Sequence, residues 1–415
     1  MKRNIACFNI TGNSVIKEQM LHWVNRFSIC SFLDNHLYSS IHQQAECLAA
    51  AGCIQSFKGL NTLLAIDAYF LNEQDWLFGH INYGNDSIIG FETIHFFQPE
   101  TVLRLENNQL FIETVKSSPK EILAEILAIE IVEPAITPSI QVKPVISKSE
   151  YIAIIQQLLN HIHRGDCYEI NFCQTFFAKE VKLDPIQTYI NLTNISPNPF
   201  SCFYKQNNAH LLCASPERYL QKKGNQLISQ PIKGTSKRNL TDQASDDELK
   251  KQLLASNKER SENVMVVDLV RNDLSRICKE GTVEVEELFG IYSFPQVHQM
   301  ISTIKGQLKE HTTFSSIIQA SFPMGSMTGA PKKRVMELIE QYETSSRGIF
   351  SGAVGYINPS KDFDFNVVIR SLLYNAENKL LSYLVGSGIT AYSKPEEEYE
   401  ECMLKAKAMN QILGY

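Results

Sequence analysis

The sequence predicts an α/β protein of the α+β type, with antiparallel-rich β-sheets covered by helices, and three observations point to it. Strand-like runs come in blocks broken by helical stretches, without the strict alternation of strand and helix that a parallel sheet requires. Two hairpin signals stand out, Asn107-Asn108 between VLRLE and QLFIETV, and Gly224-Asn225 between two β-prone runs. Two capping boxes, Ser147-Lys148-Ser149-Glu150 and Ser393-Lys394-Pro395-Glu396, open helices. At 415 residues the chain is long enough for one large or two moderate domains.

Taken in order, residues 15–27 place Val15, Met20, Trp23 and Val24 at helical spacing, and 31–35 reads as a strand end. From 63 to 115 the pattern turns to strands: LLAIDAYF, DWLFGHINYG and the Asn107-Asn108 hairpin. A short helix over 118–130 leads to a connector marked by Pro134, Pro138 and Pro144. The main internal boundary falls there, between a region 1–146 and a region 147–415 that are free to share one core. Ile152, Ile155, Leu159 and Ile162 stripe the helix after the first capping box, Gly165 closes it, and 165–171 enters a strand. Beyond the Gly224-Asn225 hairpin, 246–257 and 259–277 read as helices, and His298 opens a strand. The glycine-rich loop 325–331 runs into a helix with Pro331 in its first turn. Val335, Leu338, Ile339 and Tyr342 form that helix's buried face. GIFSGAVGYI, DFNVVIRSLLY and KLLSYLVGSG then read as strands before the terminal helix.

Composition narrows the function classes. The hydrophobic fraction of 44% and charged fraction of 20% are ordinary for a globular protein. A net charge of −6 with no Lys/Arg-rich run argues against a nucleic-acid partner. No apolar stretch reaches the length of a membrane span, and the start lacks the apolar segment of a signal peptide. Ten cysteines without a CxxC pair fit reduced thiols in a cytoplasm better than a disulfide frame or a zinc site.

The chemistry gathers around PIKGT. If the chain folds back at 224–225, antiparallel pairing sets Glu217 opposite residue 232, within one position, and so brings it beside Lys233. Gly234 and Thr235 follow, a flexible residue and a hydroxyl suited to a ligand approaching the backbone; a surface salt bridge is the plain alternative. Glu398, Glu401 and Lys405 share one face of the terminal helix, either as an ordinary i,i+4 pair near dipole-favoured acids or as part of a site. With Glu262 on the earlier helix, such carboxylates suit Mg²⁺ held partly by water and an anionic substrate. Arg370, among Val367, Val368, Ile369 and Leu372, must reach solvent or meet an anion. Gly386 and Gly388 end a strand, and Ser326 lies in the glycine-rich loop; each is an anion contact or part of a turn.

Read together, GDCYEINFCQ, SPERY, PIKGT, ENVMVVDLVRNDLSRI, FPMGSMTGAPKKRVMELI, SGAVGYI, IRS and GSGITAYSKPEEEYEECMLKAKAM resemble the chorismate-utilising enzymes. Among these the pattern is similar to the aminodeoxychorismate synthase component I group, densely over 148–413 and loosely before it. The resemblance implies two antiparallel sheets packed as a sandwich with helices outside. In that group a lysine precedes Gly-Thr, where the anthranilate synthase component I group carries alanine. It implies that Lys233 attacks C2 of chorismate as the C4 hydroxyl leaves, that ammonia then adds at C4, and that Glu217 serves as acid and base. A lowered pKa is expected for this lysine. Glu262, Glu401 and Glu398 would hold Mg²⁺, and Gly234, Thr235, His298, Ser326, Tyr356, Arg370, Gly386, Gly388 and Lys405 would contact chorismate. Glu169 stands where isochorismate-forming relatives carry a lysine base, which argues against water as nucleophile. Asn35, with Pro199, Phe200 and Ser201, partly matches a tryptophan site of some relatives. No glutaminase motif is present, so ammonia would come from a glutamine amidotransferase partner or from solution. The alternatives are anthranilate synthesis, which releases pyruvate, and a scaffold that merely holds an amidotransferase.

Overall fold

The computed structural model describes residues 2–38, 45–59, 61–84, 88–132 and 139–414. Among them the strands form two antiparallel sheets, one of twelve strands and one of ten, with helices outside, and both draw strands from either side of residue 146. Side chains alternate between two cores along the strands, as the pleat requires. In Cys47–Ala51, Leu48 and Ala50 face the layer between the sheets, while Cys47, Ala49 and Ala51 face a helix-covered core. Ala209–Ser215 is buried throughout for the same reason. A strand covered on both faces reads as a continuous apolar run rather than an alternation.

That ambiguity produced one wrong expectation. LLAIDAYF is not a strand but most of the helix Thr62–Asn72. Ile66, Tyr69 and Phe70, at i, i+3 and i+4, are its buried side, whereas Leu64 and Leu71 are exposed, so the run is apolar beyond the face that packs. The Asn107-Asn108 hairpin forms as expected, both asparagines at positive φ between Thr101–Glu106 and Gln109–Thr114. The first capping box also forms, Ser147 accepting from the Glu150 N–H and Gly165 closing Lys148–Arg164 at φ 89°. The second does not. Pro395 takes the first helical position of Pro395–Ile412, which makes Lys394 the cap and leaves Ser393 one residue too early. The Ser393 hydroxyl instead accepts the Thr390 N–H and bonds the Glu398 carboxylate. Pro134 and Pro138 lie outside the described residues. Pro331 caps Lys332–Tyr342 rather than entering its first turn, after a short strand Gly329–Ala330.

DFNVVIRSLLY is two strands, not one. Phe363–Asn366 belongs to the ten-stranded sheet and Ser371–Asn375 to the twelve-stranded sheet, so the chain crosses between sheets at 367–370. A second crossing, at 216–217, joins Ala209–Ser215 to Arg218–Lys223. The two crossings bond to each other: the Val367 N–H donates to the Glu217 carbonyl at 3.0 Å, and the Ala214 N–H to the Arg370 carbonyl at 3.1 Å. Beside them Arg218 is fully buried and grips Asp364 with two bonds of 2.9 and 3.0 Å.

Removing one partner of such a buried pair strands the other charge. Arg218→Met is expected to lower the unfolding free energy by about 3–5 kcal/mol. Urea unfolding checks this, and a loss within the scatter of a surface substitution would contradict it.

Candidate active site

Lys233 owes its direction to a bulge. Ile232–Lys237 pairs with Val297–Gln307, but the register slips by one between Ile232 and Thr235. Gly234 absorbs the slip at φ +98°, a conformation that favours glycine. A side chain on Gly234 would also press on Glu259 and Met300. The bulge aims Lys233 at the other sheet, where its ammonium meets Glu169 Oε1 at 2.6 Å and Asn171 Oδ1 at 3.4 Å. Gly388 makes room for it: an added Cβ there would lie 3.0 Å from Glu169 Oε1 and 3.2 Å from Lys233 Nζ. From the helix Asn257–Ser275, Asn263 donates to the Lys233 carbonyl and accepts the Ser302 hydroxyl, fixing the helix against the strands.

Glu217 sits close by, as the hairpin register anticipated to within one position, since Arg218 pairs with Gln230. Its carboxylate accepts the Ser326 hydroxyl and the Ile232 N–H. Burial pushes its carboxyl up to about 7, against the pull of Ser326, Lys233, Ile232 and Arg370. The ion-pair partner of Lys233, however, is Glu169 and not Glu217. The expected lowering of the lysine's pKa is overturned as well. Burial does favour the neutral amine, but Glu169, Glu262 and Glu217 together outweigh it, and the net shift is upward. Arg370 sits at the crossing with φ 50°, and its guanidinium is charge-coupled to Glu217 without a hydrogen bond to any of the described residues.

The other expected residues divide. Gly386 and Gly388 lie inside Leu380–Thr390 rather than at its end, paired with Cys173 and Asn171 on the Glu169 strand. Thr235 is exposed. Lys405 bonds Glu401 at 2.8 Å and the Gly386 carbonyl at 2.9 Å. His298 is fully buried, its Nε2 at 2.9 Å from Asp246 and its Nδ1 at 2.9 Å from the Ser293 hydroxyl, so both ring nitrogens are engaged within the protein. Tyr356 lines a cavity between the sheets together with Asn35, Pro199, Phe200 and Ser201. The residues of the expected tryptophan site therefore share one cavity, and Tyr356 belongs with them.

As donors for Mg²⁺, the three carboxylates fit in kind, being hard oxygen ligands. Burial pushes Glu262 up to about 7, the mark of a carboxylate short of positive charge, and raises Glu398. Glu401 is already paired with Lys405. No three of the described acidic, histidine or cysteine side chains converge as a preformed metal cluster. Glu259, also coupled to Lys233 and Glu401, is an acidic neighbour that the sequence reading passed over. Its signal was there: it precedes Glu262 and Asn263 by three and four residues on one helix face.

The model of the chorismate binding enzyme family matches residues 31–411, nearly the whole chain. The chain belongs to the chorismate-binding enzyme family. Its relatives within that family include the probable chloroplastic aminodeoxychorismate synthase of Oryza sativa subsp. japonica, 40% identical over 271 residues, which are 64% of this chain and 30% of that one. Aminodeoxychorismate synthase component 1 of Escherichia coli strain K12 is 38% identical over 267 residues, 64% of this chain and 57% of that one. The chain thus spans about a third of the rice relative and just over half of the bacterial one. Among solved structures, anthranilate synthase component I from Streptococcus pneumoniae TIGR4 superposes with a TM-score of 0.78 over 90% of this chain and 94% of that one, at 24% identity. This family member is thus related to the anthranilate and aminodeoxychorismate synthases and shares their two-sheet fold. No helix among its described residues is long and apolar enough to cross a membrane.

Glu217's position in this family member carries a pH signature. A carboxyl whose folded pKa is raised adds stability that is fully present below its unfolded value and lost as pH rises through the folded one. Unfolding free energy should therefore fall between about pH 4.5 and 7, and Glu217→Gln should flatten that fall. Denaturant titrations across this window read it; parallel profiles for the two chains would contradict the placement of Glu217.

Proposed function

We propose that this enzyme aminates chorismate at C4, giving 4-amino-4-deoxychorismate through a covalent bond to Lys233. The observation that carries the reading is a largely buried lysine, in PIKGT, aimed by a glycine bulge into the space beside Glu217. The anthranilate synthase component I group has alanine where this lysine stands, and several relatives bear the aminodeoxychorismate synthase name.

The amine attacks C2, the double bond shifts, and the C4 hydroxyl departs as water with the proton of Glu217. A carboxyl near 7 is matched to giving and retaking a proton at neutral pH. Ammonia then adds at C4 and expels the lysine, Glu217 accepting the surplus proton. Dividing one difficult substitution into two is the gain of covalent catalysis. Arg370 offers a half-buried guanidinium to a substrate carboxylate. Mg²⁺, bound by Glu262, Glu401 and Glu398, would supply a counter-charge for the carboxylates of enzyme and substrate. Ammonia comes from an amidotransferase partner or from solution, and the product serves 4-aminobenzoate and folate synthesis in the cytoplasm.

Incubated with chorismate and Mg²⁺ but no ammonia, the chain should gain the mass of chorismate less water, mapped to Lys233. Lys233→Ala should abolish the gain, with Lys237, an exposed amine, as the internal control. A chain that turns chorismate over with ammonia yet never carries the adduct would reduce Lys233 to a binding group.

A further inference from the structure

We propose that Glu169 is the base that takes the proton from Lys233, so that the nucleophilic amine is generated by transfer across their ion pair rather than by exchange with solvent. The inference rests on the reading of Lys233 as nucleophile and assigns the step that reading leaves open.

The geometry singles out one acceptor. Glu169 Oε1 lies 2.6 Å from Lys233 Nζ, and the carboxylate is 1% exposed. Its other oxygen, Oε2, is buried without a hydrogen-bond partner among the described residues. Half of this carboxylate's accepting capacity is therefore unused, and one oxygen remains open to receive a proton. The second group touching the ammonium, the Asn171 amide oxygen at 3.4 Å, is no base. The other carboxylates facing Lys233 act on it through space alone: Glu217 before Arg218–Lys223, Glu259 and Glu262 on Asn257–Ser275, and Glu401 on Pro395–Ile412. Glu217 is in any case needed with its proton on, to release the hydroxyl. Glu169 and Glu217 thus take opposite tasks, in keeping with their surroundings. Glu169 is paired directly to the Lys233 ammonium, whereas burial pushes Glu217 up to about 7.

The transfer balances. Lys-NH₃⁺ and Glu169-COO⁻ become Lys-NH₂ and Glu169-COOH, with no net change of charge. Burial penalises both members of the ion pair, so the neutral pair lies closer in energy here than in water. The amine lone pair then forms the bond to C2, the C4–O bond breaks, and Glu217 supplies the proton that completes the departing water. The secondary ammonium left on Lys233 faces a protonated Glu169. When ammonia adds and the C2–N bond breaks, the lysine leaves as the neutral amine and recovers its proton from Glu169.

Gly388 bears on this arrangement. It pairs with Asn171 on the strand that carries Glu169, and its missing side chain leaves the 2.6 Å contact unobstructed.

The test measures the rate of Lys233 adduct formation in ammonia-free chorismate and Mg²⁺, by quenched intact mass, from about pH 6 to 8. Glu169→Gln keeps the shape and removes the base. It should form the same adduct about 100-fold more slowly at neutral pH. Because Glu217 titrates alike in both chains, the ratio of variant to wild-type rate is the readout. It should climb with pH, as solvent rather than Glu169 takes the lysine's proton. Glu169→Ala should be equally slow and be accelerated by added formate. If Glu169 only holds the lysine charged, removing its negative charge frees the amine, and Glu169→Gln or Glu169→Ala forms the adduct as fast as wild type or faster. That result overturns the proposal while leaving Lys233 as nucleophile. A wild-type chain that forms no adduct overturns the nucleophile reading itself, and with it any role for Glu169 in activating it.

Discussion

The chain passes between the two sheets at 216–217 and again at 367–370, and each passage satisfies the backbone of the other. A strand that leaves a sheet leaves N–H and C=O groups without a ladder partner, and burying them unpaired would be costly. Here the Val367 N–H and Glu217 carbonyl answer each other, as do the Ala214 N–H and Arg370 carbonyl. The solution fixes Glu217 and Arg370 side by side at the edge of the sandwich. The glycine bulge beside them sends Lys233 across to Glu169, so an ion pair ties the ten-stranded sheet to the twelve-stranded one where the chemistry is proposed.

The charge balance of this region is lopsided. Lys233 faces Glu169, Glu217, Glu259, Glu262 and Glu401, and a dianionic substrate would add two more negative groups. Burial pushes two of these carboxyls, Glu217 and Glu262, up to about 7, and for Glu262 the neighbouring Glu169 and Glu259 add to the rise. A divalent cation between the helices Asn257–Ser275 and Pro395–Ile412 would relieve the excess.

Much of this was legible in the residues. The turn between SPERY and PIKGT anticipated the nearness of Glu217 to Lys233, because a two-residue turn sets hairpin register with little freedom. What escaped was tertiary. LLAIDAYF is a helix because sheet packing, not propensity, selects Ile66, Tyr69 and Phe70 as its inner side. DFNVVIRSLLY breaks because Arg370 takes positive φ at a sheet crossing, which no local signal announces. The partner of Lys233 lies 64 residues away on another sheet, and only the bulge at Gly234 decides which carboxylate the amine meets. Tyr356, expected from the resemblance to contact chorismate, lines a cavity with Asn35, Pro199, Phe200 and Ser201, a grouping that depends on how the two sheets stack.

The identity of the product tests the proposed reaction most directly. The chain, supplied with chorismate, ammonium salt and Mg²⁺, should yield a compound that keeps the enolpyruvyl group and carries an amine at C4, identified by mass and fragmentation, with no pyruvate released until a lyase is added. Pyruvate appearing in step with chorismate loss, alongside anthranilate, would contradict it.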